Sequence, residues 1–145
     1  MPQKRASNNQ VVGNVGLYYV CYELSRLGWN VMPTARNARG IDVLIYSQDA
    51  KRTFTVQVKA LSKASPVPLG SHLNALLGDF FIICRKLNPG PPECFILKPD
   101  EVKALAHKGD ANGKTSFWLQ PKQYAIAAYK ERWQRIGSGE VAAQP

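Results

Sequence analysis

Three polar side chains stand in two otherwise apolar segments of this sequence and could do chemistry together. Asp42 lies in the first segment, and Gln57 and Lys59 lie in the second. A carboxylate and an amide oxygen bind a hard divalent cation, and an ammonium group binds an anionic substrate. A strand with a buried face seldom keeps such groups unless a metal ion or a substrate satisfies them. These three residues are therefore the first candidates for a functional site.

The two segments are predicted to be the strands of a β-hairpin. Residues 40–45 and 54–59 are mostly apolar, and a mainly polar loop connects them. Side chains alternate between the two faces of a strand, so Gln57 and Lys59 point to the same face. If the chain reverses at the middle of the loop, Asp42 lies opposite Gln57. All three polar side chains then share one side of the hairpin.

Asp42, followed by Gln57, Val58 and Lys59, resembles the core motif of the PD-(D/E)XK nuclease superfamily. That superfamily includes restriction endonucleases, Holliday-junction resolvases and some homing endonucleases. Ile41 stands where the motif has Pro, and Gln57 stands where most members have Asp or Glu, which removes one negative charge. The chain is most similar to the small stand-alone resolvases and to the homing enzymes that carry Gln here. The resemblance implies a restriction-endonuclease-like α/β fold with a mixed central β-sheet flanked by helices.

A helix that precedes these strands carries the fourth candidate, Glu23. The spacing of apolar residues predicts a helix from Asn9 to Leu27, which Gly28 ends. The apolar positions are Val12, Val15, Tyr19, Val20, Leu24 and Leu27. Glu23 lies inside this apolar arc, where a carboxylate needs a cation or a hydrogen-bond donor. In many members of the superfamily such a helix donates a Glu to the metal site, so the resemblance implies this role for Glu23. Pairing with Arg26 is the alternative.

Two small residues on the same arc, Gly13 and Gly16, would let this helix approach the sheet closely. A short strand from Trp29 to Met32 is predicted between the helix and the hairpin. The order of helix, short strand, Asp strand and Gln-x-Lys strand is similar to that of the superfamily over roughly the first sixty residues. Beyond them the similarity is only one of general layout.

The resemblance implies a metal-dependent endonuclease that hydrolyses DNA phosphodiester bonds. Glu23, Asp42, the amide oxygen of Gln57 and the Val58 carbonyl would hold Mg²⁺, and Mn²⁺ could replace it. Lys59 would orient the attacking water or stabilise charge on the phosphate. Glu23, Asp42, Gln57 and Lys59 are thus the expected catalytic residues. Because Gln57 is neutral, we expect weak Mg²⁺ binding until the substrate phosphate completes the site.

The charge of the chain favours a polyanionic partner. Lys and Arg number 19 against 10 acidic residues, which gives a formal charge of +9. A compact domain this basic tends to attract nucleic acid. Arg36, Asn37 and Arg39 lead into Asp42, and Lys63 follows Lys59, so these four are the expected DNA-binding residues. A basic surface kept for solubility is the alternative.

The rest of the chain is predicted to add strands and helices to a single domain over residues 9–136. The predicted strands are 79–84, 94–97 and 116–119, and the predicted helices are 99–107, ended by Gly109, and 121–136. Residues 1–8 and 137–145 are expected to be flexible. Enzymes of this kind usually work as homodimers or larger assemblies, and the last apolar helix is the candidate interface.

Several classes of protein are excluded by the sequence pattern. No apolar run is long enough to cross a membrane, and no signal segment follows the first basic residues, so we expect a soluble, cytoplasmic protein. Cys21, Cys84 and Cys94 are scattered and are expected to be buried thiols, not zinc ligands. Two other functions stay open: a catalytically inactive nuclease fold that binds DNA or serves in an assembly, and a protein that acts on RNA.

Overall fold

The computed structural model describes residues 9–35 and 40–141. The helices of this part of the chain are α1 (Asn9–Arg26), α2 (Pro99–Leu105) and α3 (Pro121–Tyr124). The strands are β1 (Asn30–Pro33), β2 (Val43–Tyr46), β3 (Thr53–Leu61), β4 (Val67–Gly70), β5 (Phe80–Arg85), β6 (Glu93–Leu97), β7 (His107–Ala111) and β8 (Lys114–Leu119). None of the helices in these two ranges is long and apolar enough to span a bilayer.

The fold is built around a mixed five-stranded sheet in the order β1-β2-β3-β5-β6. Only β3 and β5 run parallel; the other neighbours are antiparallel. The two faces of this sheet are covered by different elements. Val20 and Leu24 of α1 pack with Val56 on one face. On the other face, β4, β8, α2 and α3 contribute to a second apolar cluster. This is the predicted mixed central sheet flanked by helices.

Helix α1 lies against β3 because one of its glycines leaves room for the strand. A methyl group on Gly16 would overlap the Ala60 side chain, so only glycine permits this approach. The prediction was wrong for Gly13, which is exposed and has no atom within 4 Å of where its methyl group would be. Val15, also placed on the apolar arc, is 38% exposed.

A second sheet was not predicted from the sequence. It has three strands in the order β4-β8-β7, and its last two strands form a hairpin closed by Asn112 and Gly113. Both turn residues have positive φ, 54° and 73°, as a type I′ turn requires. The predicted helix over 99–107 ends two residues early, at Leu105, because the chain from His107 onward pairs with β8.

The long C-terminal helix predicted over 121–136 is absent. Helix α3 has four residues, and only a short 3₁₀ turn follows, at Trp133–Arg135. The chain between them hydrogen-bonds to the edge of β6: Ile96 N–H donates to Tyr129 O at 2.9 Å, and Glu131 N–H donates to Cys94 O at 2.8 Å. Glu131 has a φ of +52°, which a helix excludes. The interface expected on that helix therefore has no structural basis.

Part of the tail that was expected to be flexible is held by hydrogen bonds. Gly139 N–H donates to Leu27 O at 2.9 Å, and Gln48 N–H donates to Gly139 O at 2.9 Å. The indole N–H of Trp29 donates to Gly137 O, also at 2.9 Å. Gly139 is buried so tightly that a side chain there would overlap the Trp29 backbone. Residues 1–8 and 142–145 lie outside the described ranges.

Candidate functional site

The β2–β3 hairpin has the register that the sequence predicted. Val43 pairs with Val56, and Tyr46 pairs with Thr53, so Asp42 stands opposite Gln57. The connecting loop sets this register with its own hydrogen bonds. Ser47 Oγ donates to Asp49 at 2.6 Å, and the backbone N–H of Lys51 donates to the same carboxylate at 3.1 Å. The Ser47 hydroxyl and this N–H also hold the pKa of Asp49 below its ordinary value.

Asp42 is fixed where β2 begins. Its N–H donates to Val56 O at 2.9 Å, and its carbonyl accepts from Thr34 N–H at 2.9 Å. Its side chain reaches across to β3, where Oδ2 accepts from the Val58 N–H at 2.7 Å. The carboxylate thus replaces a backbone carbonyl at the point where the hairpin ladder stops. The same bond aims the side chain at the space between the two strands.

Gln57 and Lys59 lie beside Asp42 with unfilled bonding capacity. Gln57 is only 9% exposed, and its Oε1 is buried without a hydrogen-bond partner among the residues that the structure describes. Native proteins rarely leave a buried polar atom in this state. Lys59 is half-buried and forms no ion pair within the same ranges. An acceptor and a cation are therefore both available to a ligand.

These two side chains belong to the face of the sheet that α1 does not cover. Val56 and Val58, which alternate with them, pack in the cluster that contains α1 residues. Gln57 pairs with Phe81 of β5, and that phenylalanine packs with Val67 and Leu119 of the second sheet. The site therefore opens on the side of the large sheet where the small sheet lies.

Glu23 is not brought to this cluster. Its carboxylate lies 3.6 Å from Arg26 Nη1, and its side chain is 19% exposed. Burial raises the pKa of Tyr19 to about 12, and the charge of Glu23 adds to this rise. Glu23 also helps to raise the pKa of Cys94 in β6, after the Cys84 hydrogen bond and burial. Glu23 thus belongs to α1, which packs against Val56 and Val58 on the face of β3 opposite to Gln57 and Lys59.

The expected DNA-binding residues Arg36, Asn37 and Arg39 lie outside the described ranges. The residues on either side of them are described and lie against the site. Thr34 Oγ1 donates to Ile41 O at 2.6 Å, next to Asp42. Lys63 is exposed just beyond the end of β3. Thr34 and Ile41, on either side of the undescribed residues, thus lie next to Asp42.

Asp79 is a residue that the sequence analysis missed. It directly precedes β5, and its Oδ2 accepts from the Thr55 N–H at 2.9 Å and from Thr55 Oγ1 at 3.2 Å. In return its own N–H donates to Thr55 O at 3.0 Å. These bonds clamp β3 to β5 two residues before Gln57. In the sequence, Asp79 showed only as the polar start of an apolar run, so nothing indicated this contact.

The donor set suits a hard cation, although it contains few charges. Asp42 and Gln57 offer oxygen atoms, and the Val58 carbonyl points to the same side of β3 as the Val58 N–H that meets Asp42. In residues 9–35 and 40–141, no three His, Cys, Asp or Glu side chains are grouped closely enough to hold a metal. A divalent ion here would depend on water and a substrate oxygen for its remaining ligands.

Comparison with known proteins identifies the fold. No protein-family model and no curated protein matches the chain. Among solved structures, the bacterial homing endonuclease I-Ssp6803I is similar at a TM-score of 0.57, with 15% identity over 90% of this chain and 93% of that one. Hjc, a Holliday junction resolvase from the hyperthermophilic archaeon Archaeoglobus fulgidus, has a TM-score of 0.48 and 14% identity over 74% of this chain and 90% of its own. The chain has a restriction-endonuclease-like fold.

Proposed function

We propose that this protein is a metal-dependent DNA endonuclease whose site is built from Asp42, Gln57 and Lys59. The observation that carries the proposal is the buried, unpartnered Oε1 of Gln57 beside the Asp42 carboxylate. Leaving such an atom unpaired costs about 1–3 kcal/mol, and a bound cation would satisfy it. The fold shared with a homing endonuclease supports the same chemistry.

Asp42, the amide oxygen of Gln57 and the Val58 carbonyl would hold Mg²⁺. A bound Mg²⁺ would act as a Lewis acid toward the scissile phosphate and would lower the pKa of a bound water. Because only one of these protein groups is charged, the protein should bind Mg²⁺ weakly until a phosphate oxygen joins the site. We expect Mn²⁺ to support activity at lower concentration, since divalent affinities rise along that series.

Lys59 would act on the phosphate and on the attacking water. It follows Gln57 on the same face of β3, and it has no counter-ion in the described part of the chain. An ammonium group that is not neutralised can stabilise the negative charge that develops during phosphoryl transfer. One carboxylate oxygen of Asp42 accepts from the Val58 N–H, and this bond holds the carboxylate beside β3.

DNA is the proposed partner because the protein has an excess of positive charge that its own acids do not neutralise. The formal charge is +9, and Glu23, Glu93 and Glu101 are already paired with Arg or Lys. Arg36, Asn37, Arg39 and Lys63 would contact phosphates next to the scissile bond. Cutting both strands of a duplex requires two such sites, so we also propose that the enzyme acts as a homodimer or larger assembly.

A second candidate function is a nuclease fold that binds DNA without cutting it. The observation that favours it is the small number of acidic ligands. Asp42 stands opposite Gln57, and the described residues contain no group of three acidic, His or Cys side chains that could hold a metal. This alternative predicts salt-sensitive DNA binding that does not depend on metal.

Cleavage assays separate the two functions. Labelled duplex and four-way-junction DNA would be incubated with wild type, Asp42→Asn and Lys59→Met in Mg²⁺, Mn²⁺ or EDTA. We expect metal-dependent cutting by wild type, a loss of about a hundredfold or more in each variant, and little change in DNA binding. Asp100→Asn, at an exposed site in α2, and Lys51→Met, in the hairpin loop, are the matched controls.

Two results would overturn the assignment. Cutting that persists in Asp42→Asn would mean that the chemistry occurs elsewhere. Binding without cutting by wild type in every metal would support the inactive alternative, and Gln57→Glu would then test whether one added charge restores activity.

A further inference from the structure

The second sheet presents an exposed row of three ring-containing side chains to solvent. Trp118 pairs with Pro68 of β4 on one side and with His107 of β7 on the other. The three side chains form a row across one face of the sheet, called here the outer face. Trp118 is 37% exposed although it is a large apolar residue. Its indole N–H donates to Ser116 Oγ at 3.0 Å, which holds the edge of the ring along its own strand.

A depression of about 530 Å³ adjoins this row. It is lined by His107, Gln120, Pro121, Lys122 and Gln123. His107 belongs to both the row and the depression, so the two are continuous. Four of the five lining side chains are polar, and they include amides, an imidazole and an ammonium group. This lining offers hydrogen-bonding groups and one cation to a ligand.

The charge of the outer face is also suited to an anion. Strand alternation places Pro68, His107, Gly109, Ala111, Lys114, Ser116 and Trp118 on this face. None of these seven residues is acidic, while Lys114 at one end and Lys122 beside the depression are exposed cations. The nearest acid in the hairpin, Asp110, alternates to the other face, where it accepts from Thr115 Oγ1 at 2.9 Å.

We propose that the outer face and its depression bind unpaired nucleotides of a DNA strand. A base would stack on Trp118, and phosphates would lie near Lys122 and Lys114. Bases in a duplex are already stacked on each other, so an exposed flat ring with cations on both sides favours single strands. The choice of DNA rests on the proposed nuclease function.

The small sheet lies on the same side of the large sheet as the candidate site, and its outer face is turned away from the large sheet. Val67 and Leu119 of the small sheet pack with Phe81 and Ile83, whose partners in β3 are Gln57 and Lys59. A DNA molecule would contact both places if its unpaired segment leaves the duplex and passes an edge of the small sheet. The substrate class that follows is branched, flapped or frayed DNA, in preference to a continuous duplex.

Binding without cleavage tests this inference. A fluorescein-labelled single-stranded 20-mer and the duplex of the same sequence would be titrated in EDTA, by anisotropy, with wild type, Trp118→Ala and Trp118→Phe. We expect Trp118→Ala to weaken single-strand binding about tenfold and duplex binding less than twofold, while Trp118→Phe keeps most of the affinity. Tyr18→Ala is the matched control, because Tyr18 is 63% exposed on α1, on the opposite side of the sheet.

Trp fluorescence gives an independent readout. The single strand should quench wild-type emission, and Trp118→Phe should lose that quenching, since Trp29 and Trp133 both pack in the apolar cluster on the α1 side of the large sheet. Equal losses for single strand and duplex, or an unchanged single-strand affinity in Trp118→Ala, would overturn the inference. If Trp118→Ala loses only single-strand binding and the wild type never cuts DNA, the stacking surface is supported and the nuclease function is rejected. If the wild type cuts DNA and Trp118→Ala binds the single strand normally, the nuclease function is supported and the stacking surface is rejected.

Discussion

Two polar clusters in this protein use their charges in opposite ways. The site cluster is Asp42, Gln57 and Lys59; the edge cluster is Arg85, Glu93, Glu101 and Arg135, at and beside β6. In the edge cluster, Arg85 Nε lies 3.0 Å from Glu93 Oε2, and Arg135 Nη2 lies 2.9 Å from Glu101 Oε2. In the site cluster, Lys59 has no ion pair and Gln57 Oε1 has no partner among the described residues.

The pKa values of Glu93 and Glu101, the two carboxyls of the edge cluster, are lowered by their basic partners. Burial acts to raise the pKa of Glu93 and of Glu101. The hydrogen bonds and charges of Arg85 and Arg135 outweigh burial, so both pKa values fall below the ordinary value of 4.5. The hydrogen bonds of these side chains are made within the fold, and Arg135 also donates to Ile96 O of β6 at 2.7 Å.

The comparison separates polar groups that stabilise the fold from polar groups that await a ligand. A partly buried ion pair stabilises a fold when its groups are also hydrogen-bonded, as Glu101 is to Arg135 and to the Lys98 N–H. The hydrogen bonds of the site cluster are incomplete among the described residues, although Gln57 is only 9% exposed. We therefore expect mutations in the two clusters to change different properties of the protein.

The largest contrast is expected from Gln57→Leu. Removing the buried Oε1, which has no partner among the described residues, should raise the free energy of unfolding by about 1 kcal/mol, while cleavage should fall about a hundredfold or more. Urea denaturation in EDTA measures the first effect, and a DNA cleavage assay measures the second. Gln134→Leu, at an exposed position, is the control. A clear loss of stability in Gln57→Leu would mean that the fold already satisfies Gln57, and the comparison would fail.

Glu101→Gln should produce the opposite pattern. Glu101 accepts from the Lys98 N–H at 2.8 Å and from Arg135 at 2.9 Å, so the variant should lose about 1–3 kcal/mol of stability at pH 7. Since the pKa is lowered on folding, this contribution is present above pH 4.5 and disappears as the pH falls through the lower, folded-state pKa. The deficit should therefore shrink as the pH is lowered below 4.5 in chemical denaturation, while cleavage at pH 7 stays within twofold. A deficit independent of pH would contradict the ionic explanation, and Asp100→Asn controls for lost surface charge.

The smallest effect is expected from Glu23→Gln. This carboxylate forms a partly exposed i,i+3 pair with Arg26 at 3.6 Å, which contributes about 0.5 kcal/mol or less. Cleavage should stay within twofold of wild type. A loss comparable to that of Asp42→Asn would assign Glu23 to the site after all and remove the distinction between the two sides of the sheet.

The local parts of the candidate site could be predicted because they depend on short-range geometry. Alternation along β3 puts Gln57 and Lys59 on one face, and a self-contained loop puts Asp42 opposite Gln57. The turn of the β7–β8 hairpin also has a local sequence signal, Asn112 followed by Gly113. The helix predicted before this hairpin was two residues too long. The prediction used Gly109 to end the helix, whereas Gly109 lies inside β7.

The other errors have a common cause in long-range contacts. The apolar arc of α1 correctly predicted that Glu23 is partly buried, but a helical wheel cannot tell which face of a sheet a helix covers. The chain after Pro121 has apolar residues at helical spacing, yet hydrogen bonds to the β6 edge outweigh that tendency. Gly139 likewise lies in a segment that was predicted to be flexible, but its backbone hydrogen-bonds to Leu27 and Gln48.

The sequence by itself determined the Asp42, Gln57 and Lys59 arrangement, because alternation and hairpin register need only neighbouring residues. Tertiary structure alone decided that Glu23 stands apart, that Asp79 clamps β3, and that Trp118 is exposed on a second sheet. Those outcomes depend on which surfaces pack together, and the free energy of that choice is summed over residues far apart in the chain.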